Sequence, residues 1–174
     1  TSVLDNTGKV IEYTAECQRM GIRVLPPDIN ASDAGFTVEG KDIRFGLLAL
    51  KNVGRNLIAT VVRERSGTPY RSLYDFCKRL HGTEINRRAV ESMIKSGAFD
   101  NLEAKRRSMM DGVEGILKSV ESEARRNLDG QIDLFGALDG EQESGRNVYK
   151  LPDSGEEYPY CLLYTSPSPR DMRR

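Results

Sequence analysis

Leu50-Lys51-Asn52-Val53-Gly54 lies between two apolar segments of helical character, and its reading decides the fold. Leu47-Leu48-Ala49-Leu50 precedes it; after it Leu57, Ile58, Val61 and Val62 recur at helical spacing until Arg65, before the breaker Ser66-Gly67-Thr68-Pro69. A helix-hairpin-helix needs such a tight turn, with backbone N–H groups pointing outward at the start of its second helix. Those donors and the helix dipole make a site for a phosphate oxygen. Gly54 lacks the Cβ that would block close approach, Val53 is placed to plug into the core, and Lys51 and Arg55 flank the turn within reach of neighbouring phosphates. Asn52 stands where such turns usually carry Gly; Asn also tolerates a left-handed backbone, so the turn survives. The same spacing also suits a plain helical corner in which the glycine serves geometry alone.

Helical periodicity continues downstream. Ser72 is placed to N-cap a helix carrying Leu73, Phe76 and Leu80, and Asn86 to N-cap another with Ala89, Val90, Met93 and Ile94 inward and Gly97 as its stop. The helix pairs 47–65 and 73–97 read as two copies of one small unit. A longer helix runs to about Leu128, with Met109, Met110, Val113, Ile116, Leu117 and Val120 on its buried stripe. Upstream, residues 8–21 read as a helix striped by Val10, Ile11, Ala15 and Met20 and stopped by Gly21. Val24 to Asn30, with Pro26 and Pro27, reads as an extended connector, and Phe36 to Phe45 as a short β-hairpin. From Asp129 periodicity vanishes in an acidic, Gly- and Pro-rich stretch that reads as disordered. The fold class expected is mainly α: a tandem helix-hairpin-helix with a short β-hairpin and a disordered C-terminal tail.

Lysine and arginine balance aspartate and glutamate, 26 against 26 in 174 residues, but the distribution is uneven. From Lys51 to Arg107 there are 13 basic residues and 6 acidic ones, while both flanks are acidic. Phosphate binding follows local potential rather than whole-chain charge. A second candidate within the block is Asn86-Arg87-Arg88 with Lys95. Two cations in a helix's first turn oppose its dipole, and an external anion would explain them, as would two solvated arginines. Contacts of this kind are blind to base sequence. A third candidate is Gln131-Ile132-Asp133-Leu134-Phe135, where an apolar pair in an acidic tail fits a peptide that anchors in a partner's pocket. Leu134 and Phe135 folding back onto the helical body is the other reading.

Several functions are read out. Cys17, Cys77 and Cys161 are far apart with only His81 to join them, which speaks against a zinc site or a disulfide framework and for a reducing cytoplasm. Asp28 and Asp33 do not form a two-metal site: Asn30 stands where an Asp-x-Asp pair needs its second acid, and Asp28 reads as turn chemistry. No catalytic residue, metal ligand or cofactor site emerges, and no apolar run approaches the roughly 20 residues of a membrane span.

In order along the chain, Tyr13-Thr14-Ala15-Glu16-Cys17, Arg19 to Ile22, Val24 to Asn30, Phe36-Thr37-Val38, Ile43 to Leu47, Lys51-Asn52-Val53-Gly54, Ser72 to Phe76, Asn86-Arg87-Arg88, Ile94 to Asp100 and Gly130 to Gly136 resemble the C-family replicative DNA polymerases of bacteria, the family of the DNA polymerase III alpha subunit. The resemblance covers roughly residues 1–159. It implies that residues 1–45 end the fingers region. Residues 46–100 would form the tandem helix-hairpin-helix on primer–template duplex, followed by a long helix over 101–128. Residues 129–136 would carry the motif that docks on the sliding clamp, with a disordered tail over 137–174. It implies a DNA-directed DNA polymerase as parent. The catalytic aspartates, their Mg²⁺ and the contacts to other holoenzyme subunits would lie in regions this chain lacks, leaving this piece inactive alone. Residues 161–174 depart from the family and read as translated sequencing adapter. Two rivals stay open at this level: a helix-hairpin-helix scaffold from a repair nuclease or ligase, and a helical interaction module without a nucleic-acid role.

Overall fold

The computed structural model describes residues 7–102, 105–128 and 150–152. It is mainly helical with one small sheet: α1 (Thr7–Arg19), β1 (Val24–Leu25), β2 (Thr37–Glu39), β3 (Asp42–Arg44), a 3₁₀ turn (Leu47–Ala49), α2 (Arg55–Arg65), α3 (Leu73–Arg79), α4 (Arg87–Ser96) and α5 (Arg106–Leu128). The expected β-hairpin is present, with Val38 opposite Ile43. A third strand joins it, because Val24 and Leu25 pair parallel to Ile43 and Arg44 and make the sheet order β1-β3-β2. The connector is therefore sheet at its start, and a parallel pair so short leaves no sequence pattern of its own.

Two corrections concern α1. Met20 falls in the turn beyond the helix and is 59% exposed, and Ala15 is exposed as well. The buried positions are Val10 and Thr14, one turn apart. Thr14 is accommodated because its hydroxyl donates to the Val10 carbonyl at 2.8 Å.

Local chemistry sets the ends of the later helices. Ser72 Oγ accepts from the Asp75 N–H at 3.1 Å while Asp75 accepts from the Arg71 N–H, a reciprocal cap on α3. Asn86 caps α4 through the Ala89 N–H at 3.0 Å, and Gly97 ends it in the left-handed conformation, φ 87°. Phe76 stacks edge-on against both Tyr70 and Phe99, with ring centroids 5.0 and 5.1 Å apart, and all three rings are essentially buried. Burial pushes the Tyr70 hydroxyl up to about 12, and that hydroxyl donates to the Val61 carbonyl. Helices α3 and α5 are further joined by Glu123, which accepts from Tyr74 and from Lys78, each at 2.6 Å.

The connector is knitted into this helical body. Asn30 and Tyr70 exchange two hydrogen bonds, the Ile29 N–H donates to the Ala98 carbonyl, and Arg65 reaches back to Ile29, Ser32 and Asp33. Asp28 accepts from the N–H groups of Asn30 and Ala31 and from the Asn101 amide, which is turn chemistry. Where the sheet leads into the 3₁₀ turn the chain crosses itself at Gly46: a Cβ there would lie 2.4 Å from the Gly35 carbonyl carbon and 2.7 Å from the Phe36 nitrogen. That approach lets the Leu47 and Leu48 N–H groups bond Asp33 and Ala34, and so fixes the entry to the Lys51–Gly54 turn.

Candidate nucleic-acid interface

The turn between the 3₁₀ segment and α2 has the shape that its sequence demands. Asn52 has φ 61°, the one non-glycine residue with positive φ among those described. Its amide donates to Ser92 Oγ on α4 at 3.2 Å, so the turn is pinned to the second helix pair. Val53 is partly buried against the core, while Lys51, Asn52, Gly54 and Arg55 are exposed. The first element of this unit is a single 3₁₀ turn rather than a full helix, because Leu50 is already extended (ψ 136°) where it meets the turn.

Gly54 is the N-cap of α2, and no side chain caps that helix. Its backbone (φ −77°, ψ 154°) is open to any residue, and an added Cβ would have one neighbour within 4 Å, Glu84 Oε2 at 3.5 Å. The fold itself therefore makes no demand for glycine at this position. The start of α4 differs, since Asn86 spends its side chain on the cap.

Seven cations of the basic block fall into two sets. Arg65 is bonded to carbonyls and to Asp33; Arg79 donates to the Glu64 and Thr68 carbonyls and lies 4.4 Å over the Tyr70 ring; Arg106 is bonded to Asp100. These guanidiniums bind the fold together. Arg87 joins them: it pairs with Glu91 at 2.6 Å one turn along and with Glu114 on α5 at 2.9 Å. No external anion is needed to account for it. Glu114 in turn is held below the usual glutamate range by Lys118 first and Arg87 next. Lys51, Arg88 and Lys95 form no ion pair among the described residues. Arg88, Ser92 and Lys95 fall on one stripe of α4, and Ser92 is the residue that holds Asn52. The turn and this stripe are thus neighbours, and Arg87 faces away toward α5. Charge counting along the sequence could not separate the two sets, since their partners come from other elements.

Residues 21–109 match the family described as the helix-hairpin-helix motif. The chain belongs to the helix-hairpin-helix family. The mainly helical architecture and the hairpin at residues 47–65 of this helix-hairpin-helix protein agree with the expected fold class. Curated relatives all described as DNA polymerase III subunit alpha include those of Saccharopolyspora erythraea (43% identical over 91% of this chain), Haemophilus influenzae (40% over 86%) and Escherichia coli K12 (38% over 86%). The chain spans 14% of the length of the first relative and 13% of the other two. The resemblance read from the sequence motifs therefore holds across most of the chain. Gln131 to Phe135 lie outside the described residues, as does the tail apart from residues 150–152, where Leu151 is partly buried against the core rather than disordered. Among the described residues no helix is long and apolar enough to cross a membrane, and no three His, Cys, Asp or Glu side chains cluster as metal ligands do.

Proposed function

We propose that this chain is the segment of a replicative DNA polymerase alpha subunit that grips duplex DNA, without regard to base sequence, through its first hairpin. The observation that carries this reading is the start of α2: an exposed N-terminus without a side-chain cap, on a glycine that the fold does not require. Backbone N–H groups at such an end favour a phosphate oxygen. Lys51, Arg88 and Lys95 would supply the surrounding positive field, with Arg55 at the first position of the helix; Arg87 and Asn86 would serve the frame instead. The relatives' names support DNA synthesis by the parent protein; its aspartates and Mg²⁺ would lie outside this segment. No catalytic role is proposed for the segment itself, and a cytoplasmic setting follows from the replicative role.

Gln131 to Phe135 would tether the segment to the sliding clamp. Tethering converts rebinding to DNA into an intramolecular event at high effective concentration. That part of the proposal rests on the sequence of the motif alone.

The test is fluorescence anisotropy of the chain with a short labelled duplex across a salt series, beside Lys51→Glu combined with Gly54→Glu. The wild type should bind with a steep salt dependence, and each lost phosphate contact should shallow the log–log slope by about 0.9. Equal binding by the charge-reversed variant, with folding retained, would refute the assignment to the first hairpin. For the tether, Leu134→Ala with Phe135→Ala should abolish clamp pull-down and leave DNA binding unchanged.

A further inference from the structure

Among the described residues, Glu84 brings a carboxylate to the start of α2. It sits in the loop before α4, yet its Oε1 accepts from the Asn56 side-chain amide at 2.8 Å, and among the described residues beyond Gly54's chain neighbours its Oε2 is the atom that a Gly54 Cβ would meet, at 3.5 Å. Asn56 is the second residue of α2, so the carboxylate lies against the first turn, where the helix carries its positive end. No side chain of α2's own N-cap occupies that place. Nothing near Glu84 in sequence demands the contact, since Asn56 and Glu84 are 28 residues apart.

We infer that Glu84 is an internal anion at the hairpin, standing in for a DNA phosphate and displaced when duplex binds. The inference rests on the hairpin reading above. A carboxylate beside the start of α2 and a phosphate oxygen on its N–H groups seek the same positive end of the helix, so they compete. In the free chain the carboxylate stabilises the start of α2; on binding it has to swing away, and its charge then opposes the incoming backbone. Glu84 is exposed, so the movement needs no rearrangement of the core. The residue thus sets affinity downward and would favour release and rebinding along the duplex over tight residence.

The experiment compares the full chain with Glu84→Gln and with Glu121→Gln, which removes the same charge from an exposed pair with Arg125 on α5. Binding to a short labelled duplex is read at several salt concentrations, and thermal unfolding is read in the absence of DNA. Glu84→Gln should tighten binding about two- to fivefold at low salt, the scale of one exposed charge contact, with the gain shrinking as salt rises. Its melting temperature without DNA should fall slightly, and Glu121→Gln should leave affinity unchanged. Unchanged affinity in Glu84→Gln, or an equal gain in both variants, overturns the inference while leaving the hairpin reading intact. If neither the wild type nor Glu84→Gln binds duplex at any salt, the hairpin reading itself falls and takes this inference with it.

Discussion

Two glycines offer a sharp separation of folding from binding. At Gly54 an added methyl meets only Glu84 Oε2 at 3.5 Å, an ordinary contact with the end of a flexible side chain. Two small effects then oppose each other in Gly54→Ala. Alanine is the poorer N-cap by about 1 kcal/mol, and its stiffer unfolded chain returns about 0.4–1 kcal/mol. The melting temperature should move by no more than about 4 °C. Binding should respond far more. A phosphate oxygen held at about 2.9 Å by the N–H groups of α2 cannot keep that distance past a methyl on the capping residue. Losing one charge-assisted hydrogen bond of about 1.5–3 kcal/mol weakens duplex affinity about tenfold to a hundredfold.

Gly46→Ala should do the reverse. Its Cβ would lie 2.4 Å from a backbone carbon, which cannot rotate away, so the crossing of residues 35–36 and 46 has to open. Overpacking of this severity costs about 3 kcal/mol or more, so the melting loss dominates, and affinity falls only as far as the opened crossing disturbs the entry to the turn. Anisotropy titrations and circular-dichroism melts on both variants decide the matter. Wild-type affinity in Gly54→Ala, or a melting loss there equal to that of Gly46→Ala, would refute the reasoning.

Two further outcomes are expected. Glu123 is held below the ordinary glutamate value of 4.5 by hydrogen bonds from Lys78 and then Tyr74. A lowered folded value gives stability that is present above the unfolded value and lost as pH falls through the folded one. Glu123→Gln should therefore be less stable than wild type near neutral pH by about 0.5–1 kcal/mol, with the difference vanishing in acid; a gap that persists at low pH contradicts the assignment. Cys77 is buried between helices and its thiol is pushed up to about 12, so a thiol reagent should modify it only as fast as the protein opens. Modification of Cys77 under native conditions at the rate seen for the half-buried Cys17 would show that the α3 packing is looser than described.

Much of the helical half was legible in the residues. The spans of α2, α3, α4 and α5 follow from apolar spacing, and Ser72, Asn86 and Gly97 act at the helix ends that their chemistry favours. Asn52 adopts the left-handed turn that its place in the hairpin requires. These features depend on groups within about four positions of one another, so the local sequence is enough to specify them. Tertiary structure alone decided the rest. It paired Val24 and Leu25 with β3, buried Thr14 in place of Ala15, and brought Asn101 onto the carboxylate of the turn residue Asp28. It also sorted the basic block, sending Arg65, Arg79, Arg87 and Arg106 to partners in the frame and leaving Lys51, Arg88 and Lys95 around the hairpin turn. A cation's role is set by which carboxylate or carbonyl lies within a few ångströms, and for Arg87 and Glu114, or Asn56 and Glu84, those partners are 27 and 28 residues apart. Periodicity reports which face of a helix is buried; it carries no record of what another element brings to that face.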